Sequence, residues 1–280
     1  MNQIHAQTAP QAVYEATKLC LVEGLVRRTR GENTSEILGL NMTIEEPVTA
    51  LNMEIEGRAL QRGIGYIEGL SLIGETSIPE ALTGRWGVFD NFLDGGVLTG
   101  AYGIRAHGAL RLICDELRSH PNSRRAVLSI YQTHRDLAAP TTDVPCTLSI
   151  QFLQRRTKKH GEALHMFVTM RSNDLYLGLP YDLIQFVMLQ AAIAAELGLP
   201  IGFYSHNVAS AHIYKRHWKS ALDIRALADG GDTVDSDHHT VYGANSLAGI
   251  GTWARGCLTS NFSQWSTPFE KLLITEIEGL

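Results

Sequence analysis

The chain has 280 residues, of which 44% are hydrophobic and 19% are charged, and its formal net charge is −5 at pH 7. This length allows a single domain with one large core, and the composition is that of an ordinary globular protein. The negative charge argues against a protein that coats nucleic acid. The sequence contains no apolar run of about 18 residues, the length that a membrane span requires. The N-terminus lacks the basic-then-apolar order that is typical of a signal peptide.

Three segments in the first half of the chain have helical periodicity: 11–28, 59–73 and 107–119. The first runs into a basic cluster, Arg27, Arg28 and Arg30, which the predicted polar loop GENTSE follows. Segment 83–104 is rich in glycine and aromatic residues and is predicted to be a loop with short turns.

The second half begins with three predicted strands: 125–132, 146–155 and 163–171. The loop TKKHGE joins the last two as a hairpin. A buried helix is predicted from about 180 to 197, because the segment is apolar nearly all round. Segment 202–217 returns to strand character before another helix, and no repeat or linker divides the chain. We therefore predict one α+β domain, residues 1–280, with a mixed β-sheet flanked by helices.

Four cysteines, Cys20, Cys114, Cys146 and Cys257, are widely spaced and form no CxxC pair. This spacing matches neither a zinc module nor a disulfide framework. We expect no metal and a reducing, cytoplasmic environment, which is the host cytoplasm if the protein is viral. Each thiol is then either a buried packing group, the commoner case for a lone cysteine, or a nucleophile.

Two acids and one cysteine lie where chemistry can occur. Cys146 follows Pro145 at a strand start, and a thiol there is reactive only if a nearby cation lowers its pKa. Glu68 is an acid within an apolar helix, which is unusual unless it has a partner or a function. Asp182 lies in the first turn of the apolar helix, where an acid also suits the positive helix end by roughly 0.3–1 kcal/mol.

Further polar groups suit a phosphorylated ligand. Arg171 and Ser172 could hold a phosphate, although a capping turn explains them as well. Arg124 and Arg125 are explained equally by a solvated loop. His212 and Tyr214 lie two residues apart on a predicted strand and so point the same way, as a sugar site or a hydrogen-bonded core pair requires.

The order of three motifs resembles one family. PCTLSIQF, MRSNDLYLGLPYDLIQF and HNVASAHIYKRH resemble, in that order, the signature blocks of the thymidylate synthase and deoxycytidylate hydroxymethylase superfamily. IEGLSLIGET is similar to its helix with a catalytic glutamate, GAYG to its G-x-Y-G turn, NSRR to its shared arginine pair, and EIEGL to its last strand. The resemblance covers nearly the whole chain, is weakest before residue 60, and implies an obligate homodimer formed through the sheets.

The resemblance assigns catalytic roles. Cys146 would add to C6 of a pyrimidine nucleotide, so that C5 attacks the methylene unit of the co-substrate 5,10-methylenetetrahydrofolate. Glu68 would organise water and protons, and Tyr102 would line the site.

It also assigns binding roles. The phosphate would contact Arg171, Ser172, Arg124 and Arg125, the last two lent by the partner subunit, together with Arg30 or Arg28. The segment RTRGENTSE departs from the usual RTGTGT, which leaves that register open. The sugar 3′-hydroxyl would bind His212 and Tyr214, and the folate would contact Asp174, Phe89 and Gly178.

Asp182 departs from the thymidylate synthases, which have asparagine at this position. An amide can donate to O4 of uracil and accept from its N3–H, whereas cytosine presents an amino donor and a bare N3 acceptor. A carboxyl group accepts from the amino group and can give its proton to N3. The resemblance therefore implies cytosine as the base and places the chain nearest to the dCMP or CMP hydroxymethylases.

Other departures bear on the product. Thr147 replaces a histidine, Phe89 and Phe92 stand where the synthases have tryptophans, and the sequence stops at Leu280 without the synthase tail. Easier access of water would favour a hydroxymethyl over a methyl product. The leading hypothesis is conversion of dCMP to 5-hydroxymethyl-dCMP. The alternatives are a CMP hydroxymethylase, a dCMP methyltransferase, a thymidylate synthase acting on dUMP, and an inactive nucleotide- or RNA-binding homologue.

Overall fold

A computed structural model describes residues 2–29, 31–78, 92–93, 95–96, 98–138, 143–225 and 247–258. The predictions made for Arg30, for Phe89, for half of segment 83–104 and for a final strand in EIEGL fall outside these residues.

The described residues contain seven strands that form one sheet. They are β1 (Asn2–Thr8), β2 (Leu25–Thr29), β3 (Glu32–Glu46), β4 (Val127–Ser129), β5 (Thr147–Thr157), β6 (Gly161–Asp174) and β7 (Ile201–Tyr214). Their order is β1-β3-β7-β6-β5-β4, with β2 beside β3. The pairs β1/β3 and β6/β7 are parallel and the other pairs are antiparallel, which confirms the predicted mixed sheet.

Helices flank this sheet, as predicted for an α+β domain. They are α1 (Ala9–Glu23), α2 (Arg62–Ile73), α3 (Tyr102–Arg105), α4 (Ala109–Ser119), α5 (Thr133–Asp136), α6 (Leu179–Leu197), α7 (Trp218–Asp223) and α8 (Leu247–Leu258). Two 3₁₀ turns cover Pro47–Ala50 and Lys215–His217. None of the helices in the described part of the chain has the length and apolar character needed to cross a membrane.

Helix α6 is the central helix, and its limits follow from local chemistry. Pro180 lies in its first turn, where the missing N–H costs nothing. Gly198 ends it in the left-handed conformation (φ 65°), and the Gly198 N–H caps the last turn. Between these ends almost every residue is buried, which confirms the prediction from its apolar sequence.

The N-terminal region differs from the prediction. The helix predicted over 11–28 ends at Glu23, and Leu25–Thr29 forms β2 instead, with all five residues exposed. The loop predicted at GENTSE is wrong, because β3 starts at Glu32 and runs to Glu46. Neither β1 nor β3 was predicted. Strand β3 forms because it pairs with β1 and with β7. Strand β7 is distant from β3 in the sequence, and β1 lacks a clear apolar alternation.

The burial pattern of the two central parallel strands shifts phase near their C-terminal ends. In β6, Met170 is buried, Arg171 and Ser172 are both partly exposed, and Asn173 is buried again. The neighbouring strand β7 changes phase in the same way, because Val208 and Ala211 are buried and the two residues between them are not, while the pairing register of β6 and β7 stays constant from Met170–Val208 to Asp174–His212. The sheet therefore presents Arg171 and Ser172 outwards while Asn173 points into the core.

Candidate active site

Helices α2 and α6 approach each other closely because α2 has glycine at the contact positions. A Cβ atom at Gly65 would lie 2.9 Å from Cβ of Ile184, and one at Gly69 would lie 2.6 Å from Sδ of Met188. Such distances leave no room for a side chain. The glycines that weaken α2 as an isolated helix thus allow it to pack against the first half of α6.

This packing brings two acids together. Glu68 is half-buried on α2, and Asp182, in the first turn of α6, is 8% exposed. Burial raises the pKa of Asp182 to about 7. Burial, together with the charge of Asp182, raises the pKa of Glu68 to about 8. Carboxyl groups that titrate near neutral pH can both hold and release a proton there.

Asp182 is held by a chain of buried hydrogen bonds that was not predicted. Asn173 Nδ2 donates to Asp182 Oδ2 at 2.7 Å, and Gln185 Nε2 donates to Asp182 Oδ1 at 3.0 Å. Asn173 Oδ1 lies 3.1 Å from His206 Nε2, and His206 Nδ1 lies 2.6 Å from the Tyr204 hydroxyl. Asn173 and His206 were quoted within motifs, but only the three-dimensional contact gives them a role.

The segment that leads to Cys146 is anchored by Arg171. Arg171 Nε donates to the carbonyl of Pro145 at 3.0 Å and Nη2 to that of Val144 at 2.9 Å. The Arg171 backbone N–H also donates to the Cys146 carbonyl at 2.9 Å. A guanidinium group is therefore fixed to the residues that immediately precede the thiol.

Cys146 is more exposed than Cys20 and Cys114. Cys20 and Cys114 are buried, and burial raises the pKa of each thiol to about 12. Cys146 is partly exposed at the start of β5. The side chain of Cys257 lies outside the described residues. Cys20 and Cys114 are thus packing groups, whereas Cys146 is accessible.

Tyr102 lies close to both the thiol and the acid. Its hydroxyl accepts from the Thr147 backbone N–H at 3.3 Å and is 3.0 Å from the Thr147 hydroxyl. Its ring stacks on Phe186 of α6, with centroids 6.1 Å apart. Burial and the charges of Asp182 and Cys146 raise the pKa of Tyr102 well above its usual value, so the phenol stays protonated.

The pair on β7 has the predicted orientation. The rings of His212 and Tyr214 are in edge-to-face contact with centroids 5.2 Å apart, and both side chains are partly exposed. The Arg216 guanidinium lies 4.4 Å from the Tyr214 ring centroid. Ser172, on the adjacent strand, is also partly exposed. The four side chains lie at the same end of the parallel pair β6/β7.

Asp174 and Gly178 shape the turn into α6. Asp174 Oδ1 accepts from the backbone N–H groups of Tyr176 and Leu177, each at 2.9 Å, and the Asp174 carbonyl accepts from Gly178 N–H at 2.9 Å. A Cβ atom at Gly178 would lie 3.3 Å from Asn173 Nδ2. The glycine therefore leaves space beside the Asn173–Asp182 contact.

A cationic and aromatic group that was not predicted lies beside this turn. The Arg58 guanidinium is 4.6 Å from the Tyr176 ring centroid and 5.6 Å from that of Tyr181. Arg58 Nη2 donates to the Leu177 carbonyl at 3.3 Å, whereas the buried Nη1 has no hydrogen-bond partner among the described residues. Burial lowers the pKa of Arg58. No sequence signal distinguishes Arg58, because its segment has no clear periodicity.

The arginine pair of NSRR is not brought to this cluster within one chain. Arg124 and Arg125 lie on an exposed loop between α4 and β4. Arg125 forms an ion pair with Glu116, with Nη2 2.9 Å from Oε1. A contribution of this pair to a site on another subunit stays a prediction.

The described cluster has the parts needed for covalent catalysis on a polar heterocycle. It combines an accessible thiol, the Arg171 guanidinium hydrogen-bonded to the segment that precedes the thiol, and two acids that titrate near neutral pH. The described residues include no group of three or more His, Cys, Asp or Glu side chains able to hold a metal ion.

Comparisons with known proteins point to one family. A family model described as Thymidylate synthase matches residues 91–225. The chain is 32% identical over 105 residues to the thymidylate synthase of Haloferax volcanii, which is 38% of this chain and 29% of that protein. It is 36% identical over 105 residues to the enzyme of Bacillus subtilis subsp. natto and 35% identical over 105 residues to that of Bacillus atrophaeus, covering 35% and 43% of those proteins. Each match thus spans less than half of the relative's length.

Proposed function

We propose that this chain is a member of the thymidylate synthase superfamily and that it transfers a one-carbon unit from a reduced folate to C5 of a pyrimidine nucleoside monophosphate. We further propose that the nucleotide is dCMP and the product is 5-hydroxymethyl-dCMP. The observation that carries the choice of base is Asp182. This acid is buried, and its pKa of about 7 lies where both protonation states are populated at neutral pH.

Asp182 can match the edge of cytosine in a way that an amide cannot. Its ionised oxygen accepts from the cytosine amino group, and its protonated form gives a hydrogen to the bare N3. Uracil presents N3–H and O4, so an ionised Asp182 would face the O4 lone pairs. Mispairing of a buried polar group costs about 1–3 kcal/mol, which is enough to discriminate strongly between the bases.

Cys146 supplies the nucleophile in this proposal. Its Sγ forms a bond to C6, the electrons of the C5–C6 double bond shift towards N3, and N3 takes the proton of Asp182. C5 thereby becomes the carbon nucleophile of an enamine. The folate co-substrate supplies the methylene carbon that C5 attacks. Loss of the C5 proton and departure of tetrahydrofolate, which takes the electrons of its C–N bond, leave an exocyclic methylene group on C5. Water then adds to this carbon, Sγ leaves C6 as the C5–C6 double bond re-forms, and N3 returns its proton, so that the intact ring carries a hydroxymethyl group.

Glu68 manages protons around the reacting carbon. With a pKa raised to about 8, it is mostly protonated at neutral pH. It can therefore give a proton to a departing group and then take one from the attacking water. The phenol of Tyr102, which stays protonated, lines the same space as a hydrogen-bond donor.

The surroundings of Asp174 fit a flat, polar folate ring. Tyr176 and Tyr181 offer aromatic surface, and the unpartnered Nη1 of Arg58 offers a donor. Asp174 and Gly178 border this space. These groups would hold the co-substrate, whereas Arg171, Ser172, His212 and Tyr214 would hold the sugar phosphate.

A homodimer completes the proposed phosphate site. Arg124 and Arg125 are exposed, and their loop contacts the middle of β5, where Gln151 Nε2 donates to the Arg124 carbonyl at 2.9 Å. In a two-fold dimer each subunit can lend such a loop to its partner. A phosphate dianion is best matched by several arginines, which supports their recruitment.

Thymidylate synthase activity on dUMP is the second candidate, because the matched relatives carry that name. The test offers dCMP, CMP or dUMP with 5,10-methylenetetrahydrofolate and reads product mass and dihydrofolate absorbance. We expect dCMP to gain the mass of one CH₂O unit without formation of dihydrofolate. Formation of dihydrofolate would contradict hydroxymethylation, and turnover of CMP or dUMP in preference to dCMP would contradict the proposed substrate.

A separate experiment tests the alternative that this chain has the fold but no catalytic activity. An active Cys146 releases the C5 hydrogen of labelled dCMP, whereas a nucleotide- or RNA-binding homologue releases none.

A further inference from the structure

The buried chain Asp182–Asn173–His206–Tyr204, called here the Asp182 relay, has one consistent set of hydrogen-bond directions. Ionised Asp182 can only accept, so the NH₂ group of Asn173 must face it and Asn173 Oδ1 must face His206. His206 Nε2 must then carry the ring hydrogen. His206 Nδ1 is therefore a bare acceptor, and the Tyr204 hydroxyl donates to it.

Burial keeps His206 and Tyr204 neutral and so preserves one set of hydrogen-bond directions. His206 and Tyr204 are both fully buried. Burial lowers the pKa of His206 to about 3 and raises that of Tyr204 well above its usual value. A neutral imidazole has only one ring hydrogen, so the contact with Asn173 Oδ1 places it on Nε2 and leaves Nδ1 to accept from the Tyr204 hydroxyl. A rotated Asn173 amide would place two acceptors against each other beside Asp182 and is disfavoured.

The relay has a defined effect on Asp182. Burial raises the pKa of Asp182, whereas the hydrogen bonds from Asn173 and Gln185 oppose that rise. The other ionisable groups around Asp182 are Glu68 from α2, Tyr102 from α3 and Asp174 from β6, together with the relay members from β7. None of these groups is a cation. The two amide donors are therefore the interactions that favour the ionised carboxylate.

We propose that Asn173, held by His206 and Tyr204, is a positioning residue that fixes the orientation and hydrogen-bonding state of Asp182 and thereby sets selectivity for the base. This inference rests on the proposed function, in which Asp182 contacts the base. Specificity then depends on residues beyond Asp182 itself: Tyr204 is separated from Asp182 by two side chains.

The Tyr204→Phe variant is the sharpest probe, because it removes one hydroxyl and keeps the buried ring. Tyr66→Phe is the matched control: Tyr66 is also fully buried, and its hydroxyl donates to the Leu51 carbonyl outside the relay. Asn173→Leu removes the amide itself. If Asn173→Leu fails to fold, the two tyrosine variants alone decide the proposal.

The first measurement needs no nucleotide. Carboxyl carbon NMR of aspartate-labelled, ligand-free protein, assigned with Asp182→Asn, gives the pKa of Asp182. We expect an upward shift in Asn173→Leu and a smaller upward shift in Tyr204→Phe, because the donor to the carboxylate is lost or loosened. Tyr66→Phe should leave this pKa unchanged. An unchanged Asp182 pKa in Tyr204→Phe, or an equal shift in Tyr66→Phe, would overturn the relay.

The second measurement is the ratio of kcat/KM for dCMP to that for dUMP. Loss of one buried hydrogen bond predicts a fall of roughly tenfold in Asn173→Leu, a smaller fall in Tyr204→Phe and no change in Tyr66→Phe. If wild-type protein does not act on dCMP, the proposed function fails while the pKa measurement still decides the relay. If the pKa shifts but the ratio is constant, the claim about selectivity is wrong.

Discussion

At the scale of single residues, Asp182 is the group that would distinguish cytosine from uracil in the proposed function. It accepts hydrogen bonds from Asn173 and Gln185 and lies close enough to Glu68 to raise the pKa of that acid. In Asp182→Asn, the ratio of kcat/KM for dCMP to that for dUMP should fall by about 10²-fold, because two buried contacts become mispaired with cytosine. Steady-state kinetics measure this ratio. Inhibition by inorganic phosphate should stay the same, and an unchanged base preference would count against the role of Asp182.

The second prediction at this scale concerns stability. Glu68 and Asp182 have folded-state pKa values of about 8 and about 7, above their usual values of 4.5 and 3.8. Between these limits the folded state binds more protons than the unfolded state, so the free energy of unfolding falls as pH rises. Glu68→Gln removes one such group. Between pH 5 and pH 8 the variant should therefore lose less unfolding free energy than wild type does, by roughly 1–3 kcal/mol. Urea unfolding at several pH values measures this, and parallel curves for the two proteins would refute it.

At the scale of elements, the close packing of α2 on α6 brings Glu68 to Asp182. In Gly65→Ala the new Cβ would lie 2.9 Å from Cβ of Ile184, so we expect a loss of about 1–3 kcal/mol in unfolding free energy. Gly251→Ala in α8 is the matched control, because its nearest neighbours would be 3.4 Å and 3.6 Å away. The control should be as stable as wild type or slightly more so. Equal losses in both variants would show that helix packing is not the cause.

The elements also show how much the sequence can predict. Helix α6 was predictable because it is apolar all round and is bounded by Pro180 and Gly198, and the β5–β6 hairpin was predictable from apolar alternation and a polar turn. Strands β1 and β3 were not, since their pairing is non-local. The acids Glu68 and Asp182 stood out as charges in apolar helices. The Asp182 relay did not, because a phase shift in β6 turns Asn173 inwards.

At the scale of the whole molecule, the proposed site needs two subunits. Cys146→Ala and the double variant Arg124→Ala/Arg125→Ala should each be nearly inactive alone. Refolding them together in equal amounts should restore about a quarter of wild-type activity, because half of the dimers then have one intact site of two. Turnover of the mixture measures this. The absence of any recovery, with monomers seen by light scattering, would contradict the shared site.

In the proposed function, Cys146 attacks a cytosine nucleotide that Asp182 selects. The most direct measurement is competition between equal amounts of dCMP and dUMP, each labelled at C5 with a different hydrogen isotope, in the presence of the folate co-substrate. We predict release of label chiefly from dCMP by wild-type protein and none by Cys146→Ala. Release chiefly from dUMP, or release that persists in Cys146→Ala, would contradict the claim.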